Sequence, residues 1–327
     1  MLLSLSAACV FAQSSQIATL IHEGEITAFY GSYALKEAHA AAVHGDAITL
    51  SSGTFQATNI TKAITLRGAG MAVDTLNNVL PTVIAGDFSI QIADSVSEKL
   101  MIEGVFHNSL IAVEGTVRDA RFNKSRFRLL FCDLMENCSF LHCKIVEDLY
   151  FASAGSDCLF INSYVRLDNQ NKSSLQFINC IIRERWTGLK FNIVTQNSSF
   201  INCIMIGSGG SSDYLEATAS AYNCVAINCQ GNNCFRNIPD VSNQHSTFEA
   251  MFKEYNGTYE EGGTTFELTE EAKTKFLGTD GTQIGIYGGN IPYSPIPTNP
   301  RITKCNVAAK STADGKLSVD IEVNGIE

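Results

Sequence analysis

The sequence predicts an all-β protein built as a solenoid of parallel strands, and three observations predict it. A four-residue phrase recurs: FINS at 160–163, FINC at 177–180 and FINC at 200–203, with looser copies RFNK at 121–124, FLHC at 140–143 and AYNC at 221–224. Its third place holds Asn123, His142, Asn162, Asn179, Asn202 and Asn223, at steps of 19, 20, 17, 23 and 21 residues. Repeats on that scale bury their apolar face only against neighbouring repeats. The second observation is composition. Hydrophobic residues make up 45% of the 327 and charged ones only 17%, with Ser, Thr and Asn, mediocre helix formers, carrying much of the polarity. The third is short alternating runs ended by Gly- and Ser-rich turns, as in GDAITLSSGTF at 45–55 and AITLRGAG at 63–70.

The elements follow in chain order. Residues 1–12 read as an export signal, with Val10 and Ala12 fitting cleavage before Gln13. Cys9, after Ser6-Ala7-Ala8, offers a lipid anchor as the alternative to cleavage. Residues 13–44 form an N-terminal segment ending in a helix, because Ala34, Leu35, Ala38, Ala41 and Ala42 share one helical face. Such a helix closes the open end of a solenoid, which otherwise exposes core and an unpaired strand edge. Residues 45–240 hold the coils. VIAG at 83–86 and LMIEG at 100–104 continue the series, and Ile181, Arg183 and Arg185 face away from Ile182 and Glu184. Residues 241–300, with short helical stretches in HSTFEAMFKEY and LTEEAKTKF, form a C-terminal cap. Residues 301–327 alternate at Leu317, Val319, Ile321 and Val323 around an Asp314-Gly315 turn, as a strand pair or the start of a following module. No apolar run after the leader reaches the ~18 residues a membrane span needs.

Charge and cysteine usage narrow the partners. The net charge is −10, from 23 basic and 33 acidic residues, with no basic stripe suited to nucleic acid. Of eleven cysteines, Cys143, Cys180, Cys203 and Cys224 follow the repeated polar residue, so they recur once per coil. That pattern predicts a column of reduced, buried thiols rather than a disulfide framework. No C-x-x-C pair is present to suggest a metal. The polar column itself is assigned a structural role, stacked amides satisfying one another and the backbone at a bend. A leucine-rich repeat is excluded, since no L-x-x-L-x-L precedes any of these Asn residues.

The opening ALKEAHAAAVHGDAITLSSGTFQATNITKAITLRGAG and the closing DGTQIGIYGG resemble secreted bacterial right-handed parallel β-helix proteins of the pectate-lyase-like class. The closing motif has Gln283 where that class frequently has Asp. The resemblance spans roughly 33–295. It implies a right-handed single-stranded β-helix with a capping helix, and enzymes of the class cleave acidic polysaccharides. Lyases in it pair Ca²⁺-binding carboxylates with an Arg or Lys base; hydrolases use clustered Asp residues.

The site candidates are sparse. Tyr164, Arg166, Asp168, Arg183, Arg185, Trp186 and Lys190 form a basic and aromatic column suited to a carboxylated sugar, with Arg forks on the carboxylate and the ring on a sugar face. Under a lyase reading, Arg183 or Arg185 is the base, and Asp168 with Asp157 ligates Ca²⁺, a thin set for an ion that takes six to eight oxygens. Asp213, Tyr214 and Glu216 form a second candidate on an inserted loop. The histidines, His22, His39, His44, His107, His142 and His245, are scattered, and there is no Asp-Asp pair. The expected function is therefore an exported, cell-surface or periplasmic protein that binds glycan or acts as an adhesin-like scaffold without catalysis or cofactor. The alternative is a polysaccharide lyase or glycoside hydrolase on acidic polysaccharides, with Ca²⁺ in the lyase case.

Overall fold

The computed structural model describes residues 16–76, 79–153, 156–167, 174–184, 197–207, 209, 214–229, 231, 234–254, 265–297, 301–307 and 319–324. The leader at 1–12 with Cys9 lies outside them. The chain winds as a parallel β-solenoid about 8 turns long. One strand of each coil joins a first sheet, running Ala47–Leu50, Thr65–Arg67, Met101–Glu103, Arg121–Asn123, Ser139–Leu141, Cys158–Ile161, Leu175–Ile178, Ser199–Ile201 and Ser220–Tyr222. The next joins a second sheet, running Gly53–Gln56, Thr82–Ala85, Val105–Arg118, Arg126–Glu136, Lys144–Phe151, Tyr164–Leu167, Ile181–Glu184, Ile204–Ile206, Val225–Ile227 and Gln244–Ser246.

At the N-terminal end an antiparallel pair, Ile17–His22 and Glu25–Tyr30, extends the first sheet. Helix Ala34–Ala41 follows and buries Ala34, Leu35 and Ala38. Its last carbonyls are satisfied from the next coil, where Lys62 Nζ donates to His39, Ala40 and Ala42, a cation placed where the helix dipole favours one.

Between the two sheets the later coils bend at a single residue with left-handed φ. These are His142 (55°), Asn162 (45°), Asn179 (52°), Asn202 (57°) and Asn223 (49°). Asn tolerates this conformation better than most residues. The bend is also a backbone relay: the N–H of Asn162 donates to the carbonyl of Ile178, that of Asn179 to Ile201 and that of Asn202 to Tyr222. Asn123 does not belong to the column. It pairs with Leu141, and Lys124, with φ 45°, occupies the bend. The reason is packing, since Phe122 stacks on Phe140 and so sets the register one residue later than the phrase suggests.

That ring contact is part of a larger one. Phe122, Phe140, Phe160, Phe177 and Phe200 form a continuous interior stack with centroid spacings of 4.6, 4.6, 4.8 and 5.2 Å. Coil spacing in a parallel sheet is about 4.8 Å, so rings in register stack without displacing the backbone. After each bend comes a small residue, Ser125, Cys143, Ser163, Cys180, Cys203 or Cys224, and Ser and Cys do the same work. Ser163 Oγ donates to the carbonyls of Ile161 (2.8 Å) and Phe140 (3.3 Å), as Cys180 Sγ does to Ile178 (3.2 Å) and Phe160 (3.3 Å). The nine cysteines from Cys132 to Cys234 are unbridged. Burial pushes the Cys143 thiol up to about 12, which suits an inert thiol.

The side chains of His142, Asn162 and Asn202 serve a distant segment rather than one another. Residues 276–297 run back along the bends as a strap. Asn162 Nδ2 donates to the carbonyls of Ile286 (2.8 Å) and Gly288 (2.7 Å). Asn202 Oδ1 accepts from Thr279 N–H (2.9 Å), and its Nδ2 donates to Thr279 Oγ1 (3.3 Å). The stacked-amide expectation is thereby corrected: the amides point across to the strap because the strap brings backbone groups that would otherwise be buried unpaired. Gly285 is required where the strap crosses, because it holds φ +78° and a Cβ there would lie 2.8 Å from Ile204 Cδ1. Short helices Phe248–Met251 and Glu270–Lys275 precede and join the strap, each capped by a Thr hydroxyl. The strand pair Arg301–Val307 and Val319–Asn324 forms its own two-stranded sheet.

His142 takes the Asn place with a fixed tautomer. Ser294 N–H donates to Nδ1 (3.3 Å), so Nε2 carries the proton donated to the Ile291 carbonyl (3.1 Å). Burial, with Lys124 adding, pushes its pKa down to about 4, and burial does the same to His39.

Two predictions follow from the strap. Asn162→Ala, which strands two buried carbonyls and puts a Cβ-bearing residue without a local side-chain bond at left-handed φ, should lower unfolding free energy by about 2–4 kcal/mol. Asn162→Gly should lose about 1 kcal/mol less; equal losses in urea denaturation would show that backbone strain is not part of the cost. The second concerns acid. The unfolded His142 protonates below its ordinary 6.5 while the folded ring stays neutral down to about 4, so the unfolded state binds more protons and stability falls as pH drops through that window. His142→Asn, matching the rest of the column, should flatten part of that slope when urea midpoints are compared from pH 7 to about pH 4.5.

Candidate functional site

The outward face of the second sheet carries the chemistry. Its first column reads Phe106, Arg126, Lys144, Tyr164, Ile181, Ile204 and Val225 in strict register. Two residues along, Arg166, Arg183, Ile206 and Ile227 form a second. The lower part of this face is covered by the C-terminal segment, with Met251, Phe252, Phe266, Leu268, Phe276, Ile284 and Ile286 packed on Tyr164, Ile181, Ile204 and Val225.

Tyr164 and Arg166 therefore do not line an open groove with the rest. Tyr164 is buried, its ring stacked on Phe266 at 4.8 Å. Arg166 lies over Arg183 in register, and its Nε sits 3.9 Å from Asp148 Oδ1, with both side chains largely enclosed. Arg183 is 8% exposed. Asp148, which the sequence reading did not single out, supplies the counter-charge. Asp168, Arg185, Trp186 and Lys190 lie outside the described residues, as does Asp213. Asp157 is exposed at the start of a first-sheet strand with φ 53°, on the other sheet from the Arg pair. Tyr214 packs under the Arg236 guanidinium at 3.5 Å, and Glu216 lies two residues on, half-buried.

Sequence reasoning missed Arg126 and Lys144. They stand directly after Ser125 and Cys143, so extending the repeated phrase by one letter puts them in one column with Tyr164 and Ile181. The Arg126 guanidinium lies 4.5 Å from the centre of the Phe106 ring. Lys144 Nζ lies 5.4 Å from the centre of Tyr293 and 5.8 Å from that of Phe266. Burial pushes the pKa of both cations down, and Arg126 adds to the effect on Lys144.

Further along the same strands, Phe131 stacks on Tyr150 at 4.5 Å. Phe131 is 40% exposed. Its partner on the preceding coil is Ala112, too small to continue the stack, so one ring face is left uncovered on that side. Three residues back on the same two strands, Arg128 and Glu147 pair at 2.6 Å.

Among the described residues no group of three or more His, Cys, Asp and Glu gathers to hold a metal ion, and no helix is long and apolar enough to cross a membrane. No family model matches the chain, and no match is found among curated proteins or solved structures.

The enclosed and exposed ion pairs should behave differently. Asp148→Ala, leaving Arg166 enclosed without its carboxylate, should destabilise by about 3 kcal/mol. Glu147→Ala, removing an exposed partner of Arg128, should leave the urea midpoint almost unchanged.

Proposed function

We propose that this chain is an exported right-handed β-helix of the pectate-lyase-like class, located at the cell surface or in the periplasm, that acts as a non-catalytic, glycan-binding or adhesin-like scaffold. The right-handed winding and the closing role of helix Ala34–Ala41 are part of this reading; the leader-like start and the GDAITL and DGTQIGIYGG motifs support them. The observation that carries the binding role is the Phe131–Tyr150 stack, an exposed aromatic surface on strands that also carry the Arg128–Glu147 pair. A sugar ring buries its apolar face on an aromatic one while neighbouring charged groups take its hydroxyls. A scaffold role is supported by how many of the reactive side chains are committed to contacts within the chain. Tyr164 lies under Phe266, Arg166 on Asp148 and His142 on the strap.

The test is a panel of neutral and acidic polysaccharides presented to the purified full chain, with and without Ca²⁺. Binding is expected without turnover, and Phe131→Ala is expected to weaken it at least about tenfold, the loss of one aromatic hot spot. Unsaturated product absorbing in the ultraviolet would overturn the proposal in favour of a lyase, and new reducing ends in favour of a hydrolase.

A further inference from the structure

Arg126 and Lys144 are neighbours across adjacent coils, paired in register, and both point into one cleft. Met71, Ala72, Phe106 and Tyr293 complete its lining around a cavity of about 240 Å³. Other arginines on the coils have carboxylates: Arg128 has Glu147 at 2.6 Å, Arg118 has Glu136 at 2.6 Å and Asp94 at 2.7 Å, and Arg166 has Asp148 at 3.9 Å. Among the described residues no carboxylate forms an ion pair with Arg126 or Lys144. Aromatic rings stand in that place instead, Phe106 under the guanidinium, Tyr293 and Phe266 about the ammonium. A ring quadrupole offsets only part of a cation's lost hydration, and two like charges held side by side repel. An anion between them would relieve both.

We infer that this cleft binds a small organic carboxylate, its oxygens between Arg126 and Lys144 and its carbon body against Met71 and Tyr293. Arg supplies a planar fork matched to a carboxylate and Lys a point charge beside it. A monoanion suits the setting, because the chain as a whole carries −10 and repels ligands of high negative charge. The apolar lining gives a carbon body something to bury against, which an inorganic anion lacks. Tyr293 comes from the strap, so a bound carboxylate ties strap to coils and stabilises the folded chain by mass action. The site stands without the glycan proposal: carboxylate binding with no polysaccharide binding leaves it intact.

The experiment uses the full chain with benzoate, galacturonate and sulfate as probes, read by thermal shift and calorimetry. At least one of the two carboxylates should bind at a single site and raise Tm. Benzoate alone would assign a flat apolar acid and galacturonate alone a sugar acid, and either supports the site. The double variant Arg126→Met/Lys144→Met should weaken that binding at least about tenfold, a loss of about 1.4 kcal/mol, while its Tm without ligand stays level or rises. Lys144→Arg, which keeps the charge, should retain binding and checks the site if the double variant folds poorly. The inference is overturned if neither carboxylate binds, if sulfate binds as tightly as the carboxylate that does, if Lys144→Arg abolishes binding, or if the folded double variant binds as tightly as the unaltered chain.

Discussion

One backbone requirement organises most of the molecule: from Gly104 onward, each coil passes from the first sheet to the second through a single left-handed residue. The bend places that residue's N–H in the ladder to the next coil and turns its side chain out along a shallow groove at the sheet junction. A groove lined from His142 to Asn223 by amide or imidazole groups is a polar track. The C-terminal strap lies in it because its carbonyls of Ile286, Gly288 and Ile291 find donors there. The strap in turn carries Ile284, Ile286 and Tyr293 onto the outward face of the second sheet. Bend geometry thus decides both how coils stack and what covers their outer surface.

The repeated phrase made the stacking legible because its letters have separate mechanical duties. Phe fills the interior column, Asn takes the left-handed place, and Cys or Ser returns a hydrogen bond to the carbonyl two residues back. Where the letters disagree, the apolar one decides. RFNK has an Asn, yet the ring of Phe122 fixes the alignment and Lys124 takes the bend, since burying an aromatic ring outweighs a conformational preference of about 1–2 kcal/mol. The partners of the bend amides were not legible. The partners of these bend side chains lie 77 to 152 residues away in sequence, and a repeat pattern says nothing about what a non-repeating tail will do.

The site was half legible for a related reason. Arg166 and Arg183 could be aligned from the phrase, and the coils do place them in register. Their enclosure could not be read, because Asp148 enters the neighbourhood through a register shift in the Lys144–Phe151 strand that breaks simple counting. Arg126 and Lys144 were hidden by ordinariness. Each is a single basic residue in a strand, and only their shared place after the bend and the arrival of Tyr293 from the strap make them a pair.

The two basic pairs differ in what offsets their charge, and the difference bears on stability. Arg166, in register with Arg183, has Asp148 at 3.9 Å, so an enclosed cation has an enclosed anion. Arg126 and Lys144 have rings, and a cation–π contact contributes about 0.5–2 kcal/mol, whereas partial desolvation of a charge with no counter-charge costs more. Apolar residues at those two places would continue the column of Phe106 and Tyr164 at no such cost. A fold whose margin is only about 5–15 kcal/mol therefore carries a local electrostatic liability at this cleft. The strap that completes the cleft also satisfies Asn162 and His142, so clamp and cleft are built from the same stretch of chain. The bonds that hold the strap to the bends are what keep Tyr293 in place against two cations that form no ion pair among the described residues.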